Sequence, residues 1–176
     1  MYKRQEKILT VADKIADKMG AERIGHCEKH DAGVSFYGVY YGQAALPHAP
    51  ERLFYLDNAV IRGLKVYNAE ESSDIPVYDL AAAAGRDPYE MFLGGARSII
   101  TITNPNVVRE RRLVIFRDSF GSSIAPLLAA GYSEITLVDI RYITPSALGR
   151  MIDFAKADDA LFLYSASVIN NSETIK

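Results

Sequence analysis

The sequence predicts an α/β protein built on a mainly parallel sheet, and three observations predict it. Short apolar runs at residues 113–116, 135–138 and 160–164 alternate with helix-period segments, the order that gives βαβαβ units and right-handed crossovers. An amphipathic stripe at the N-terminus supplies a helix to cover a sheet face. Polar residues follow each apolar run, where the loops of an open parallel sheet converge.

The first helix is expected over residues 6–19. Ile8, Val11, Ala12, Ile15, Ala16 and Met19 fall on one stripe, Lys14, Asp17 and Lys18 lie opposite, and Gly20 stands where a helix ends. Residues 36–67 read as strands and turns with an irregular path. Tyr37, Tyr40, Tyr41, Tyr55 and Tyr67 are concentrated there, and ordinary amphipathic packing explains them better than a sugar-gripping surface. Asp87-Pro88-Tyr89-Glu90 has the pattern of an N-cap, a first-turn proline and an N3 glutamate, announcing a short helix that ends at Gly94-Gly95. A buried strand follows at residues 98–103. Beyond the strand at residues 113–116, a helix is expected from Ser122 to Ala130, closed by Gly131. Thr144-Pro145 opens another, running to about Lys156.

Composition narrows the function classes. At 176 residues the chain suits one domain, residues 1–176, able to bury roughly 70% of the surface its unfolded form would expose. Lys and Arg total 20 against 22 for Asp and Glu, with no long run of either sign, so a phosphate-backbone footprint and a polybasic membrane patch are both unexpected. Neither nucleic acid nor a membrane is an expected partner of this chain, which shows no signal peptide and no apolar stretch long enough to span a bilayer. Cys27 is the single cysteine; an internal disulfide is excluded, a four-ligand zinc site lacks companions, and a small buried side chain is the plain reading. No metal and no cofactor are expected. His26 and His30 share i, i+4 spacing, but Gly25 and Gly33 argue against a helical metal site; these two and His48 are read as surface or turn residues.

The chemistry-bearing cluster is expected at the ends of the last three strands: Arg117-Asp118-Ser119-Phe120-Gly121-Ser122-Ser123, then Asp139 and Arg141, then Ser165, Ser167 and Asn170-Asn171. A serine between a strand and a helix has its hydroxyl held outward, beside the free N–H groups of the first helical turn, which is the geometry of a nucleophile. Asp118 is placed to steer that turn through backbone N–H groups, and Gly121 permits a tight bend. The competing reading is that Asp118 or Ser119 is simply an N-cap. A serine nucleophile also needs a base, normally histidine, and no histidine follows His48. Arg141 is expected to pair with Asp118 or Asp139 across the strand ends, the alternative being that it orients an acyl or sugar group. A weaker alternative is an anion or nucleotide site on the N–H groups and hydroxyls of Ser119 to Ser123, although the glycine spacing and lysine of a P-loop are absent.

Three blocks, Asp87-Pro88-Tyr89-Glu90-Met91-Phe92-Leu93-Gly94-Gly95, Leu113-Val114-Ile115-Phe116-Arg117-Asp118-Ser119-Phe120 and Glu134-Ile135-Thr136-Leu137-Val138-Asp139-Ile140-Arg141-Tyr142, resemble successive blocks of the bacterial DHHW family. The resemblance runs from about Phe36 to Asn171 and includes Phe36-Tyr37-Gly38 and Val66-Tyr67-Asn68. That family is similar to the SGNH-like (GDSL-like) acyltransferases and esterases that handle O-acetyl groups on exopolysaccharides. The resemblance implies a three-layer α/β/α, flavodoxin-like fold, incomplete at its N-terminus. It implies Ser119 as nucleophile, the N–H groups of Phe120 and Gly95 as oxyanion donors, and Asp118, Gly121, Asp139, Arg141 and Asn170 in support. The implied partners are a cell-envelope polysaccharide or a small acyl ester, and the implied location of the parent protein is extracellular or at the cell surface. The Asp-His-His-Trp motif that names the family is missing, since the chain has no tryptophan, so the chain resembles a piece beginning just after the acid-base pair. Ala96 stands where members often carry an asparagine able to donate to an oxyanion. The alternative function is a non-catalytic glycan- or protein-binding domain on the same scaffold.

Overall fold

The structure, a computed structural model, describes residues 7–36 and 50–170. Tyr37, Tyr40, Tyr41, His48 and Asn171 lie outside the described residues, as do most of Phe36-Tyr37-Gly38 and residue 6 at the start of the expected first helix.

Helix α1 (Ile8–Met19) buries Ile8, Ala12 and Ala16 and ends at Gly20, whose φ of 60° lets its N–H reach back to the carbonyls of Ala16 and Asp17. Val11, expected on the buried stripe, lies at its margin and is exposed. Strands β1 (Glu28–Phe36) and β2 (Glu51–Asp57) form a separate antiparallel pair. A short helix α2 (Ala59–Arg62), capped by Asn58, leads to the hairpin of β3 (Lys65–Asn68) and β4 (Ser73–Ile75). Asp87 caps the expected turn through the N–H of Tyr89, but the helix is 3-10 in type and stops at Met91; Phe92 turns extended and Leu93, Gly94 and Gly95 all take positive φ.

The main sheet continues with β5 (Ile99–Thr103), β6 (Arg112–Arg117), β7 (Glu134–Val138) and β8 (Asp159–Leu163), in the order β4-β3-β5-β7-β6-β8. The expected βαβαβ unit is present: β6 pairs in parallel with both β7 and β8. The other half corrects the mainly parallel expectation, because β3 is antiparallel to β4 and to β5, and β5 is antiparallel to β7. A parallel pairing needs a crossover of a dozen or more residues, and the link at residues 69–72 between β3 and β4 is too short to provide one; β5 then enters the sheet running against both β3 and β7. The sheet is therefore mixed.

The two long crossovers lie on opposite faces. From β6, helix α3 (Ser119–Ile124) continues as a 3-10 segment (Ala125–Gly131) and packs Ile124, Leu127 and Leu128 with Leu113, Ile115, Ile135 and Leu137. The switch to 3-10 falls at Pro126, which has no N–H to donate and whose ring crowds the carbonyl of Ser122. From β7, helix α4 (Pro145–Met151) packs Leu148 against Ile99, Val114 and Val138 on the other face. It is shorter than expected: Asp153 caps a separate 3-10 turn (Phe154–Lys156) through the N–H of Ala155. Helix α5 (Ala166–Asn170) follows β8.

Of the two described tyrosines of the tyrosine-rich region, Tyr55 joins a chain of ring contacts with Tyr78, Phe92 and Tyr89 over Leu53 and Met91, whereas Tyr67 is exposed. Cys27 is buried and free. His30 lies on β1, stacked on Tyr55, and His26 precedes that strand, so the two share no helical face.

Candidate functional site

Strands β6, β7 and β8 run in one direction, β5 opposes them, and β3 opposes β5. The carboxyl ends of β3, β6, β7 and β8 therefore share one edge of the sheet with the start of β5. That edge gathers Asn68, Arg97-Ser98, Arg117-Asp118-Ser119, Asp139 and Tyr164-Ser165. The chain leaves β6 toward β7 over one face and reaches β8 over the other, so the edge beside β6 is a switch point, where open α/β sheets place ligands.

Ser119 is the first residue of α3 and is exposed. Asp118 is its N-cap, in extended conformation and only 3% exposed. One carboxylate oxygen of Asp118 accepts the N–H of Phe120 at 3.0 Å and the other accepts the N–H of Ser165 at 2.7 Å. The aspartate thereby caps α3 and ties the turn after β6 to the turn after β8. The N–H of Gly121 donates to the carbonyl of Asp118 at 3.0 Å. The first position of a helix has no intrahelical acceptor for its N–H, and that position belongs to Ser119. Among the described residues, the Ser119 hydroxyl has no hydrogen-bond partner, and no histidine is bonded to it.

Both N–H groups expected as oxyanion donors are engaged within the chain. That of Phe120 is held by Asp118, and that of Gly95 closes a turn on the carbonyl of Phe92 at 3.0 Å. The serines that follow also face inward: Ser122 and Ser123 are 1% and 6% exposed. The Ser123 hydroxyl donates to the carbonyl of Phe120 and accepts from the Tyr89 hydroxyl at 2.6 Å. An anion site built from the hydroxyls of Ser122 and Ser123 is therefore not what the fold makes. Burial pushes the Tyr89 hydroxyl up to about 12.

Asp139 is completely buried. Arg141 grips it with Nε at 2.9 Å, Nη2 at 2.6 Å and its own N–H at 3.1 Å, so of the two aspartates expected to pair with Arg141 the structure selects Asp139. That hydrogen bond holds the Arg141 guanidinium above its ordinary pKa, against the opposing effect of burial. Asn170 is exposed at the end of α5 and, among the described residues, no hydrogen bond joins it to the cluster. Tyr164 is half-buried, and burial, reinforced by Asp139 and Asp118, raises its pKa.

Sequence reasoning placed Arg117 in the strand-end cluster but gave it no role, and the structure leaves it no exposed surface at all. The signal was available: alternation along β6 puts Arg117 on the same face as the buried Leu113 and Ile115. Burial lowers its pKa, and the neighbouring Asp139 carboxylate acts the other way. Glu70, which bonds the N–H of Ser98 at 2.7 Å, and the Arg97–Glu71 ion pair at 2.8 Å complete the polar edge. Among the described residues, no group of three His, Cys, Asp or Glu side chains could hold a metal ion, and no helix is long and apolar enough to cross a membrane.

Fold and site together define a mixed α/β protein that presents a serine between a strand and a helix at the switch point of its sheet. The family model for the DHHW protein matches residues 15–138, and the chain belongs to the DHHW family. Its fold is similar to the crystal structure of a DHHW family protein from Eubacterium siraeum, at 17% identity and a TM-score of 0.65, over 95% of this chain and 57% of that one. Two structures of Bacillus cereus PatB1 are similar as well. The one with a sulfonyl adduct shows 19% identity and a TM-score of 0.65, over 92% of this chain and 56% of PatB1. The other shows 18% identity and a TM-score of 0.63, over 92% of this chain and 57% of PatB1. The chain thus spans a little over half the length of these relatives. None of the curated proteins matches it.

Proposed function

We propose that the protein containing this chain is an SGNH-type serine hydrolase or O-acyltransferase acting on carbohydrate esters outside the cell, with Ser119 as the nucleophile. The observation that carries the reading is an exposed serine hydroxyl on the first residue of a helix, at the edge of a sheet whose two neighbouring strand pairings are parallel. Bacillus cereus PatB1, which the fold resembles, carries a sulfonyl adduct, and sulfonyl transfer is chemistry that a nucleophilic side chain performs.

In this reading the Ser119 oxygen attacks the ester carbonyl and the acyl group passes to the serine, releasing the sugar hydroxyl; water or a second hydroxyl then takes the acyl group. The N–H of Ser119 itself, rather than that of Phe120, receives the oxyanion, because Asp118 already holds the Phe120 N–H. Asp118 keeps the turn in register with the end of β8. The base that takes the serine proton comes from outside the described residues of this chain.

The test is turnover of O-acetylated oligosaccharides by the complete gene product and by its Ser119→Ala variant. A loss on the order of 10⁴-fold or more in kcat/KM is expected, as for removal of a nucleophile. Equal turnover by the two proteins eliminates the assignment. Binding of envelope polysaccharide that is indifferent to Ser119→Ala, with no turnover, points instead to a non-catalytic binding domain; the engaged N–H groups of Phe120 and Gly95 are what favour that second reading.

A further inference from the structure

Arg117 is completely buried, yet its Nε and Nη1 have no hydrogen-bond partner among the described residues. Nη1 faces an Asp139 oxygen at 3.8 Å, too long for a hydrogen bond, and Asp139 is already gripped by Arg141. Among the described residues, the guanidinium makes one hydrogen bond, from Nη2 to the carbonyl of Arg97 at 3.2 Å. A guanidinium placed only to stabilise a core would saturate its donors, because an unsatisfied buried donor is costly to leave.

The carbon stem of Arg117 runs directly beneath the nucleophile turn. A Cβ at position 121 would come within 2.5 Å of Arg117 Cβ and 2.9 Å of its Cγ, so Gly121 is glycine because the arginine occupies that space. At its far end, Arg117 reaches a segment that needs holding. Leu93, Gly94 and Gly95 follow one another at φ of 52°, 68° and 78°, and Leu93 is a buried non-glycine residue in a region such side chains rarely adopt. Glu71 and Glu70 tie the exit of this segment, at Arg97 and Ser98, to the β3–β4 hairpin. Arg117 ties it to the serine.

We propose that Arg117 is a positioning residue, clamping residues 93–97 against the Asp118-Ser119 turn so that the wall of the acyl site is fixed relative to the nucleophile. The claim about the acyl site rests on the reading of Ser119 as the nucleophile; the clamp itself does not.

The experiment compares the chain with its Arg117→Met and Arg117→Lys variants by amide hydrogen exchange. It pairs this with the rate at which phenylmethanesulfonyl fluoride adds to Ser119 in the presence of imidazole, read by intact mass. In Arg117→Met, the amides of residues 94–97 exchange at least tenfold faster while the central strands keep their protection, and sulfonylation slows at least tenfold. Lysine keeps the buried cation but lacks the planar fork that reaches the Arg97 carbonyl. Arg117→Lys therefore restores global stability without restoring the loop or the labelling rate, and it carries the test if Arg117→Met does not fold. Unchanged exchange at residues 94–97 in both variants overturns the proposal. So does protection lost evenly across the sheet with labelling unaltered. If the wild-type chain resists sulfonylation while the loop still loosens in the variants, the clamp stands and the nucleophile reading is what fails.

Discussion

Asp118 offers a quantitative test of how the serine turn is held. Replacing it with alanine removes two acceptors at once. The cap bond to the N–H of Phe120 is worth about 1 kcal/mol. The charge-assisted bond to the N–H of Ser165, at 2.7 Å and in a nearly buried setting, is worth roughly 1.5–3 kcal/mol. Together they predict a loss of about 2.5–4 kcal/mol for Asp118→Ala. With a urea dependence of about 2 kcal/mol/M, the midpoint of unfolding falls by roughly 1.2–2 M. Asp118→Asn separates the two contributions. Asparagine caps nearly as well as aspartate, but its amide group then meets the N–H of Ser165 donor to donor, so the expected loss is about 2 kcal/mol. The assay is urea unfolding followed by far-UV circular dichroism, with Ser119→Ala as a control that changes stability by less than about 0.5 kcal/mol, since Ser119 is exposed. A loss below about 1 kcal/mol in Asp118→Ala, or equal losses in the two Asp118 variants, refutes the bridging role.

Two further outcomes follow from the buried groups around that turn. Asp139→Asn leaves Arg117 and Arg141 without their shared carboxylate in a site with little water, and a destabilisation of about 3–5 kcal/mol is expected in the same urea assay; less than about 1 kcal/mol would show that Asp139 is not the hub. Burial raises the Tyr89 hydroxyl to about 12, so the folded protein keeps a proton that the unfolded chain releases near 10, and the stabilisation is complete below pH 10 and lost as pH rises toward 12. The stability difference between wild type and Tyr89→Phe should accordingly shrink by up to about 1.4 kcal/mol per pH unit in that window, measured by urea midpoints from pH 9 to 11.5; a difference that stays constant contradicts the shift.

The second half of the chain was legible because its signals are local. Four-to-five-residue apolar runs are separated by segments closed at Gly131 and opened at Thr144-Pro145, and such spacing leaves β6, β7 and β8 no simpler arrangement than parallel strands with crossovers. The direction of β3 and β5 was not legible in the same way. Which partner each takes depends on long-range pairing, and only the shortness of the link at residues 69–72, between β3 and β4, hinted at an antiparallel pair. At the site, residue identity located Asp118, Ser119, Asp139 and Arg141 on one edge but did not assign the backbone donors. A carboxylate at the N-cap competes for the second N–H of the helix, so the amide of Phe120 is spent locally, and a turn from Phe92 spends that of Gly95. Arg117 was placed in that cluster without a role, although strand alternation puts it on the buried face with Leu113 and Ile115.

The proposal that the Ser119 hydroxyl is an acyl-accepting nucleophile, with no base bonded to it among the described residues, is tested most directly by the mass of the intact chain after treatment with a sulfonyl fluoride across a range of imidazole concentrations. The account predicts one sulfonyl group per chain, mapped to Ser119, forming faster as imidazole supplies a base, and no adduct in Ser119→Ala. Modification at other residues with Ser119 untouched, or a rate that ignores imidazole, would contradict it.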